Sequence, residues 1–220
     1  GLPRERIPAA HEFVMCCSGA RIGRHLLLCG RRESFFPFQC MVGPDWLLVL
    51  GVIALIIGIN IPVIYLQFVY LNFWVGVVGC LGFAVLLSAY LATACSNPGV
   101  IFKDDFEPLV EEGGVANYAN ANSSSETDAS TSDNGIIPSV PPPTTMACSM
   151  CELRRPVTAR HCTYCEKCID GLDHHCPWSG QCIGRRNMKY FVVFVSTLTF
   201  QWWFLLGSFI TAMVYIATDP

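Results

Sequence analysis

Residues 148–182 read CSMCELRRPVTARHCTYCEKCIDGLDHHCPWSGQC, and they hold seven of the chain's thirteen cysteines and three of its five histidines. Three Cys-x-x-Cys spacings overlap within this stretch: Cys148/Cys151, Cys162/Cys165 and Cys165/Cys168. That spacing lets two thiolates of one tight turn reach the same tetrahedral ion, as zinc requires. The stretch therefore predicts a zinc-binding module.

The candidate ligands in this stretch outnumber what two zinc ions need. Seven cysteines and three histidines provide ten candidates, and two closed four-ligand sites would use eight of them. A cysteine and a histidine left over side by side would form a reactive pair, because a neighbouring base can lower the pKa of a thiol. The alternative is a purely structural zinc module with spare residues, and spacing alone does not say which two groups are spare.

The overall composition indicates a membrane protein. Hydrophobic residues make up 52% of the 220 residues and charged residues only 14%, whereas about a quarter of a globular chain is usually charged. The net charge of −3 gives no bulk electrostatic argument for nucleic acid. The cysteines cluster at the spacing of metal ligands and do not resemble the disulfide framework of a small secreted protein. This clustering fits a reducing compartment.

Three apolar runs predict transmembrane helices over residues 46–68, 73–94 and 190–216. Each run is long enough to cross a hydrocarbon core of about 30 Å. Glycines at 76, 79 and 82 place small residues along one side of the second run, which suits close helix packing. The predicted fold is an α-helical polytopic membrane protein with three transmembrane helices and a small Cys/His-rich domain that holds two zinc ions.

The segments between the apolar runs complete the predicted domain organisation. Residues 1–45 form an N-terminal region, and residues 146–189 form the zinc domain. Residues 95–145 combine acidic, Ser/Asn/Thr-rich and proline-rich sequence, which predicts a largely disordered linker. No internal repeat is visible beyond the overlapping Cys-x-x-Cys spacings.

The distribution of basic residues predicts the orientation in the membrane. All fourteen Lys and Arg residues lie before the first apolar run or between the second and the third. By the positive-inside rule, the N-terminal region and the zinc domain then face the cytosol.

The Cys/His stretch resembles the cysteine-rich domain of the DHHC family of membrane protein S-acyltransferases (palmitoyltransferases). The resemblance rests on these motifs: Cys148-x2-Cys151, Arg155-Pro156, Arg160-His161-Cys162-x2-Cys165-x2-Cys168, Asp173-His174-His175-Cys176-Pro177-Trp178, Cys182-Ile183-Gly184 and Asn187-x3-Phe191. The order of two spans, a cytosolic domain and a further span also agrees with the family. Asn97-Pro98-Gly99 resembles the family's Asp-Pro-Gly motif, with Asn in place of Asp.

The resemblance implies a reaction and a set of site residues. The protein would transfer a palmitoyl or similar long-chain acyl group from acyl-CoA to protein cysteines through a thioester on Cys176. His174 would be the base that activates Cys176, and Asp173 would orient His174. The family pattern implies two structural zinc ions, the first bound by Cys148, Cys151, His161 and Cys168, the second by Cys162, Cys165, His175 and Cys182.

The resemblance also implies partners and a location. The partners would be the lipid bilayer, acyl-CoA and cytosolic or membrane-associated proteins with accessible cysteines. The location would be a multi-pass position in the Golgi, the endoplasmic reticulum, another endomembrane or the plasma membrane. Five basic residues are candidates for binding the CoA phosphates, or equally for a basic patch on the membrane surface: Arg154, Arg155, Arg185, Arg186 and Lys189. No nucleic-acid partner is expected, because the module is tethered to a membrane and lacks the His-x3–5-His pairing of a zinc finger.

The chain departs from the family in two places. Ser179-Gly180-Gln181 stands where the family usually has an aliphatic residue and an asparagine, so looser packing and hydrogen bonding are expected around Cys176. A fourth span and the family's Thr-Thr-x-Glu motif are expected but missing, so we expect a C-terminally truncated chain. These departures favour an alternative function, a non-catalytic zinc-bearing membrane scaffold.

Overall fold

The computed structural model describes residues 20–29, 40–102 and 145–218. Its largest elements are three helices, α1 (Trp46–Leu66), α2 (Phe73–Cys95) and α3 (Met188–Thr218). A π-helical turn, Gln67–Leu71, extends α1. By length and composition, these helices are long and apolar enough to cross a membrane. The predicted fold class, an α-helical polytopic membrane protein, is thereby confirmed.

The helices cover the three predicted spans and extend beyond them at one or both ends. α1 with its π-helical turn ends at Leu71, and α2 begins at Phe73 after a single residue. That residue, Asn72, caps α2 because its side chain accepts a hydrogen bond from the backbone N–H of Trp74 at 2.8 Å. The first two helices therefore form a tight hairpin.

Polar side chains join the three helices in their interior. Gln201 of α3 donates to Asn60 Oδ1 of α1 at 2.9 Å, and Gln67 donates to Ser208 Oγ at 2.7 Å. The glycine stripe of α2 makes room for these amides, since a Cβ at Gly79 or Gly82 would overlap the side chain of Gln67 or Gln201. Gln201 and Ser208 of α3 thus face other helices, as expected for buried polar groups of a membrane span.

In the described part of the chain, nine short strands lie outside the helices, and all of them pair antiparallel with a neighbour. Three strands form one sheet before α1: β1 (Ala20–Ile22), β2 (His25–Cys29) and β3 (Cys40–Val42). The other six form three hairpins before α3: β4 (Thr145–Cys148) with β5 (Leu153–Pro156), β6 (Ala159–Cys162) with β7 (Lys167–Asp170), and β8 (His174–Cys176) with β9 (Gln181–Ile183).

The sheet before α1 packs directly against the hairpins. Ile22, Leu27 and Met41 are buried in one cluster with cysteines of the Cys/His stretch and with Ile169. The segment after α2 joins them, because Val100 pairs with Ile169 and the N–H of Ile101 donates to Cys168 O at 2.9 Å. The packing unit is therefore wider than the zinc domain predicted at 146–189, and most of the predicted linker 95–145 lies outside the described residues.

Candidate functional site

The ligand atoms of eight side chains converge in two groups of four, and within each group they lie within 4.8 Å of one another. The first group is Cys148, Cys151, His161 and Cys168, and the second is Cys162, Cys165, His175 and Cys182. Three thiols and one imidazole form a donor set typical of closed, structural zinc sites. The chemistry of each group therefore fits one zinc ion, and the groups contain the same residues as the sets implied by the resemblance.

The second group repeats the first at an offset of 14 residues for every ligand, from 148 to 162, 151 to 165, 161 to 175 and 168 to 182. In both groups, two cysteines come from the turn of one hairpin, and a facing His/Cys pair comes from the strands of the next. His161 is paired across the strands with Cys168, and His175 with Cys182. This repeat was not predicted from the sequence, although the constant offset of the ligands is a signal for it.

Cys176 occupies the corresponding position in a third copy of the same unit. Cys148, Cys162 and Cys176 each end the first strand of a hairpin. Each turn then reaches a backbone with positive φ, 51° at Glu152, 56° at Glu166 and 76° at Gly180. The third turn has Ser179 where the others have Cys151 and Cys165. Cys176 therefore lies in a turn of the same kind as the two metal-binding turns, but this turn lacks the second cysteine. This explains why Cys176 belongs to neither ligand group.

Hydrogen bonds between the thiols of each group, together with burial, shift the pKa values of these thiols. The sulfurs of Cys165 and Cys182 lie 3.4 Å apart, and a hydrogen bond from Cys182 lowers the pKa of Cys165 to about 4. The same bond, together with burial, raises the pKa of Cys182. In the first group, burial and a hydrogen bond to Cys148 raise the pKa of Cys168. Zinc binding releases such protons, so the crowded thiols are suited to a divalent cation.

Strand β8 separates the adjacent histidines by the alternation of side chains along a strand. His175 lies on one face, with Nδ1 3.3 Å from Cys165 Sγ. His174 lies on the other face, which it shares with Cys176. Nδ1 of His174 is 2.8 Å from Asp173 Oδ2, and its ring contacts Phe191 edge-on at 5.5 Å between centroids. Among the described residues no hydrogen bond joins His174 to Cys176, and such bonds often tighten only when substrate is bound.

The turn after Cys176 is buried and hydrogen-bonded. The hydroxyl of Ser179 donates to Cys176 O at 3.2 Å, and the hydroxyl of Tyr90 in α2 donates to Trp178 O at 2.8 Å. Gln181 is fully buried, and its Nε2 lies 3.0, 2.9 and 2.8 Å from the carbonyl oxygens of Thr93, Ala94 and Ser96. The expectation of loose packing around Cys176 is therefore wrong. Gln181 binds carbonyl oxygens at the end of α2, where the last carbonyl groups of a helix have no partner within it.

Removing the amide of Gln181 should destabilise the junction between α2 and the third hairpin. Gln181→Met keeps the volume but leaves buried carbonyl groups without a donor, which costs about 1–3 kcal/mol. We expect the midpoint of thermal unfolding, followed by tryptophan fluorescence in detergent, to fall by several degrees. Thr199→Val is the control, because its exposed hydroxyl bonds only to Val195 O of its own helix. An unchanged midpoint for Gln181→Met would contradict this role.

Two asparagines shape the segments that flank the site. Asn97 is buried, and its Oδ1 accepts hydrogen bonds from the N–H groups of Gly99 and Val100 at 2.8 and 2.9 Å. Asn187 is fully buried; its Oδ1 accepts from Gly184 N at 2.8 Å, and its Nδ2 donates to Cys182 O at 3.0 Å. Asn97 therefore closes the turn after α2, and Asn187 fixes the start of α3 to the third hairpin.

The five candidate CoA-binding residues differ in their contacts and exposure. Arg155 donates to Ala159 O, and Nε of Arg185 lies 2.8 Å from Asp170 Oδ2. Nζ of Lys189 lies 4.9 Å from the centre of the Tyr190 ring. Arg154 and Arg186 are exposed, on β5 and just before α3. Three of the five predicted side chains are thus engaged in contacts within the domain.

Sequence reasoning missed several residues at this site. In the sequence, Tyr90 belongs to an apolar run, Gln181 is a departure from the family, and His25 and Asp45 belong to no recognised motif. Tyr90, Gln181 and His25 are fully buried polar side chains. A tyrosine within an apolar run was a weak signal for such a role, and the sequence carried no signal for the other three.

Comparison with known proteins gives one family assignment. Residues 143–219 match the family model described as DHHC palmitoyltransferase. No curated protein matches the chain. The matched residues contain both Cys/His groups, the Asp173–Cys176 motif and all of α3. The chain therefore contains a DHHC domain, which comprises the three hairpins and the helix that follows them.

Proposed function

We propose that this protein is an S-acyltransferase, which transfers a palmitoyl or similar long-chain acyl group from acyl-CoA to cysteines of other proteins. The observation that carries the proposal is the position of Cys176. It lies outside both complete ligand groups, and it shares a strand face with His174, whose ring is bonded to Asp173. This arrangement has the order of nucleophile, base and orienting group that covalent catalysis uses.

The reaction has two thioester exchanges. The thiolate of Cys176 attacks the thioester carbonyl carbon of acyl-CoA, the carbon–sulfur bond to CoA breaks, and CoA leaves as a thiol after taking up a proton. A substrate cysteine thiolate then attacks the acyl group on Cys176 and releases the enzyme thiol. His174 takes the proton of Cys176 in the first exchange, and Asp173 accepts a hydrogen bond from Nδ1 of His174.

The two ligand groups have a structural role in this proposal. Each holds one zinc ion with a complete set of four protein ligands, so the ion stabilises the hairpins and does not bind substrate. The first group joins the first and second hairpins, and the second group joins the second and third. The zinc ions therefore fix the strand that carries His174 and Cys176.

The site is proposed to lie at the cytosolic surface of an endomembrane or of the plasma membrane. The asymmetry of Lys and Arg supports this orientation. CoA would remain in water, near basic side chains such as Arg154 and Arg186, while the acyl chain would lie among the helices. Protein substrates would present cysteines at the same surface.

Acyl labelling tests the proposal. The purified full chain is incubated with an alkyne-tagged palmitoyl-CoA, and hydroxylamine-sensitive label is located by mass spectrometry after proteolysis. We expect the label on Cys176 and none on Cys176→Ala, with two zinc ions per chain in both proteins. If the two proteins label equally while zinc is bound, the protein is a zinc-bearing scaffold rather than an acyltransferase.

A further inference from the structure

The second ligand group has a carboxylate partner that lies outside the matched domain. Oδ2 of Asp45, the residue before α1, is 2.8 Å from Nε2 of His175. The other ring nitrogen of His175 faces sulfur, with Nδ1 3.3 Å from Cys165 Sγ and 3.6 Å from Cys182 Sγ. An Nε2–H that donates to a carboxylate leaves Nδ1 free to bind a metal ion. Such a partner fixes the orientation of a ligand histidine.

The ligand histidine of the first group has a different set of contacts in the part of the chain that the structure describes. Nδ1 of His161 faces Cys151 Sγ at 3.2 Å and Cys148 Sγ at 3.7 Å. The contacts that the structure gives for His161 in the described part of the chain are all from Nδ1 to cysteine sulfur, including Cys168 Sγ at 4.0 Å. Two sites with identical ligand types therefore differ in what surrounds them.

The position of Asp45 is fixed by its backbone as well as by its carboxylate. Its N–H donates to Gly180 O at 3.3 Å. A Cβ at Gly43 would overlap Gly180 O, and a Cβ at Gly180 would lie 2.5 Å from Val49 of α1. The start of α1 thus lies directly on the turn that follows Cys176. The carboxylate of Asp45 is 37% exposed, whereas the His175 side chain is only 8% exposed.

A second residue from the sheet before α1 reaches the same ligand group. His25 is fully buried, and among the described residues neither of its ring nitrogens has a conventional hydrogen-bond partner. Its ring adjoins the thiol of Cys165. The N–H of Arg24 donates to Cys165 O at 3.2 Å, so the turn between β1 and β2 lies against the turn that contains Cys165. A ligand thiolate would give the orphan ring N–H an acceptor.

We propose that Asp45 and His25 form the outer shell of the second zinc site, and that Asp45 is its principal positioning residue. The inference rests on the zinc sites of the proposed function but not on acyl transfer. It makes the orientation of the ligand histidine of the second site dependent on a side chain outside 143–219. Metal binding at the second site thereby ties the start of α1 to the strand that carries Cys176.

Differential metal release tests this proposal. The zinc-loaded full chain is exposed to a chelator and N-ethylmaleimide, and alkylation is followed over time by peptide mass spectrometry. Cys148 and Cys151 report the first site, and Cys162 and Cys165 report the second. In Asp45→Ala we expect alkylation of the second pair to accelerate about 10- to 100-fold, the usual effect of losing such a partner. The rate of the first pair should not change.

Two further variants separate positioning from general damage. Asp45→Asn keeps the shape and an acceptor oxygen, so it should give a smaller acceleration that is still confined to the second pair. His25→Phe keeps a buried ring without an N–H and should affect the same pair. Equal rates at both pairs, whether unchanged or raised together, would overturn the proposal. Because acyl-CoA is absent from the assay, this result is independent of whether Cys176 is acylated.

Discussion

Replacing His174 by alanine should slow the acylation of Cys176 by about 100- to 10,000-fold, the usual contribution of a positioned general base. The protein should keep both zinc ions, because His174 belongs to neither ligand group. The rate is measured by rapid mixing with alkyne-tagged palmitoyl-CoA and quenching at fixed times. The loss should appear in the acylation rate constant rather than in the final extent of labelling.

A chemical rescue distinguishes a base from a structural residue. The side chain of His174 is 41% exposed, so its removal opens a site that small molecules can enter. Added imidazole should restore part of the acylation rate of His174→Ala and should leave Cys176→Ala inactive. The adjacent variant His175→Ala should instead lose zinc. Acylation of His174→Ala at a rate within threefold of the wild type would contradict the assignment of His174 as the base.

Much of this fold could be predicted because its signals are local in the sequence. Three uncharged or nearly uncharged runs of sufficient length predict membrane helices without knowledge of their neighbours. The Cys-x-x-Cys turns likewise predict metal ligands from spacing alone. The choice of His174 and Cys176 as the spare pair came from the family resemblance. His174 and Cys176 can be recognised as residues that bind no metal only once strand pairing places His175 opposite Cys182.

The remaining features depend on contacts between distant parts of the chain. Asp45 and His175 are separated by 130 positions, and Tyr90 and Trp178 by 88. No periodicity or composition argument connects such pairs. The expectation of loose packing at Gln181 is wrong for the same reason. Its partners are carbonyl groups at the end of α2, and the sequence does not show which backbone carbonyl groups lack a partner. A departure from a family motif therefore gives no measure of packing until its contacts are known.

Removing zinc should unfold the three hairpins while the membrane helices remain helical. Each hairpin consists of strands of only three or four residues, and an isolated two-stranded hairpin of that size is marginal in water. Metal binding in small zinc modules contributes about 10–16 kcal/mol, far more than such strands supply. After treatment with a strong chelator, we expect rapid proteolysis between residues 145 and 187. The helical circular dichroism signal should change little.

A pair of serine variants shows whether the metal, rather than any buried thiol, stabilises the hairpins. Cys165 and Cys176 are both buried, so each substitution removes a buried sulfur of the same size. Only Cys165 belongs to a ligand group. Cys165→Ser should therefore lose one zinc ion and become sensitive to protease without chelator, whereas Cys176→Ser should keep two zinc ions and wild-type resistance.

Equal protease sensitivity of the two variants would mean that the hairpins are stabilised by packing of their buried side chains and not by zinc. Acylation of Cys176 would then be expected to survive chelation, which the labelling assay can measure on the same samples.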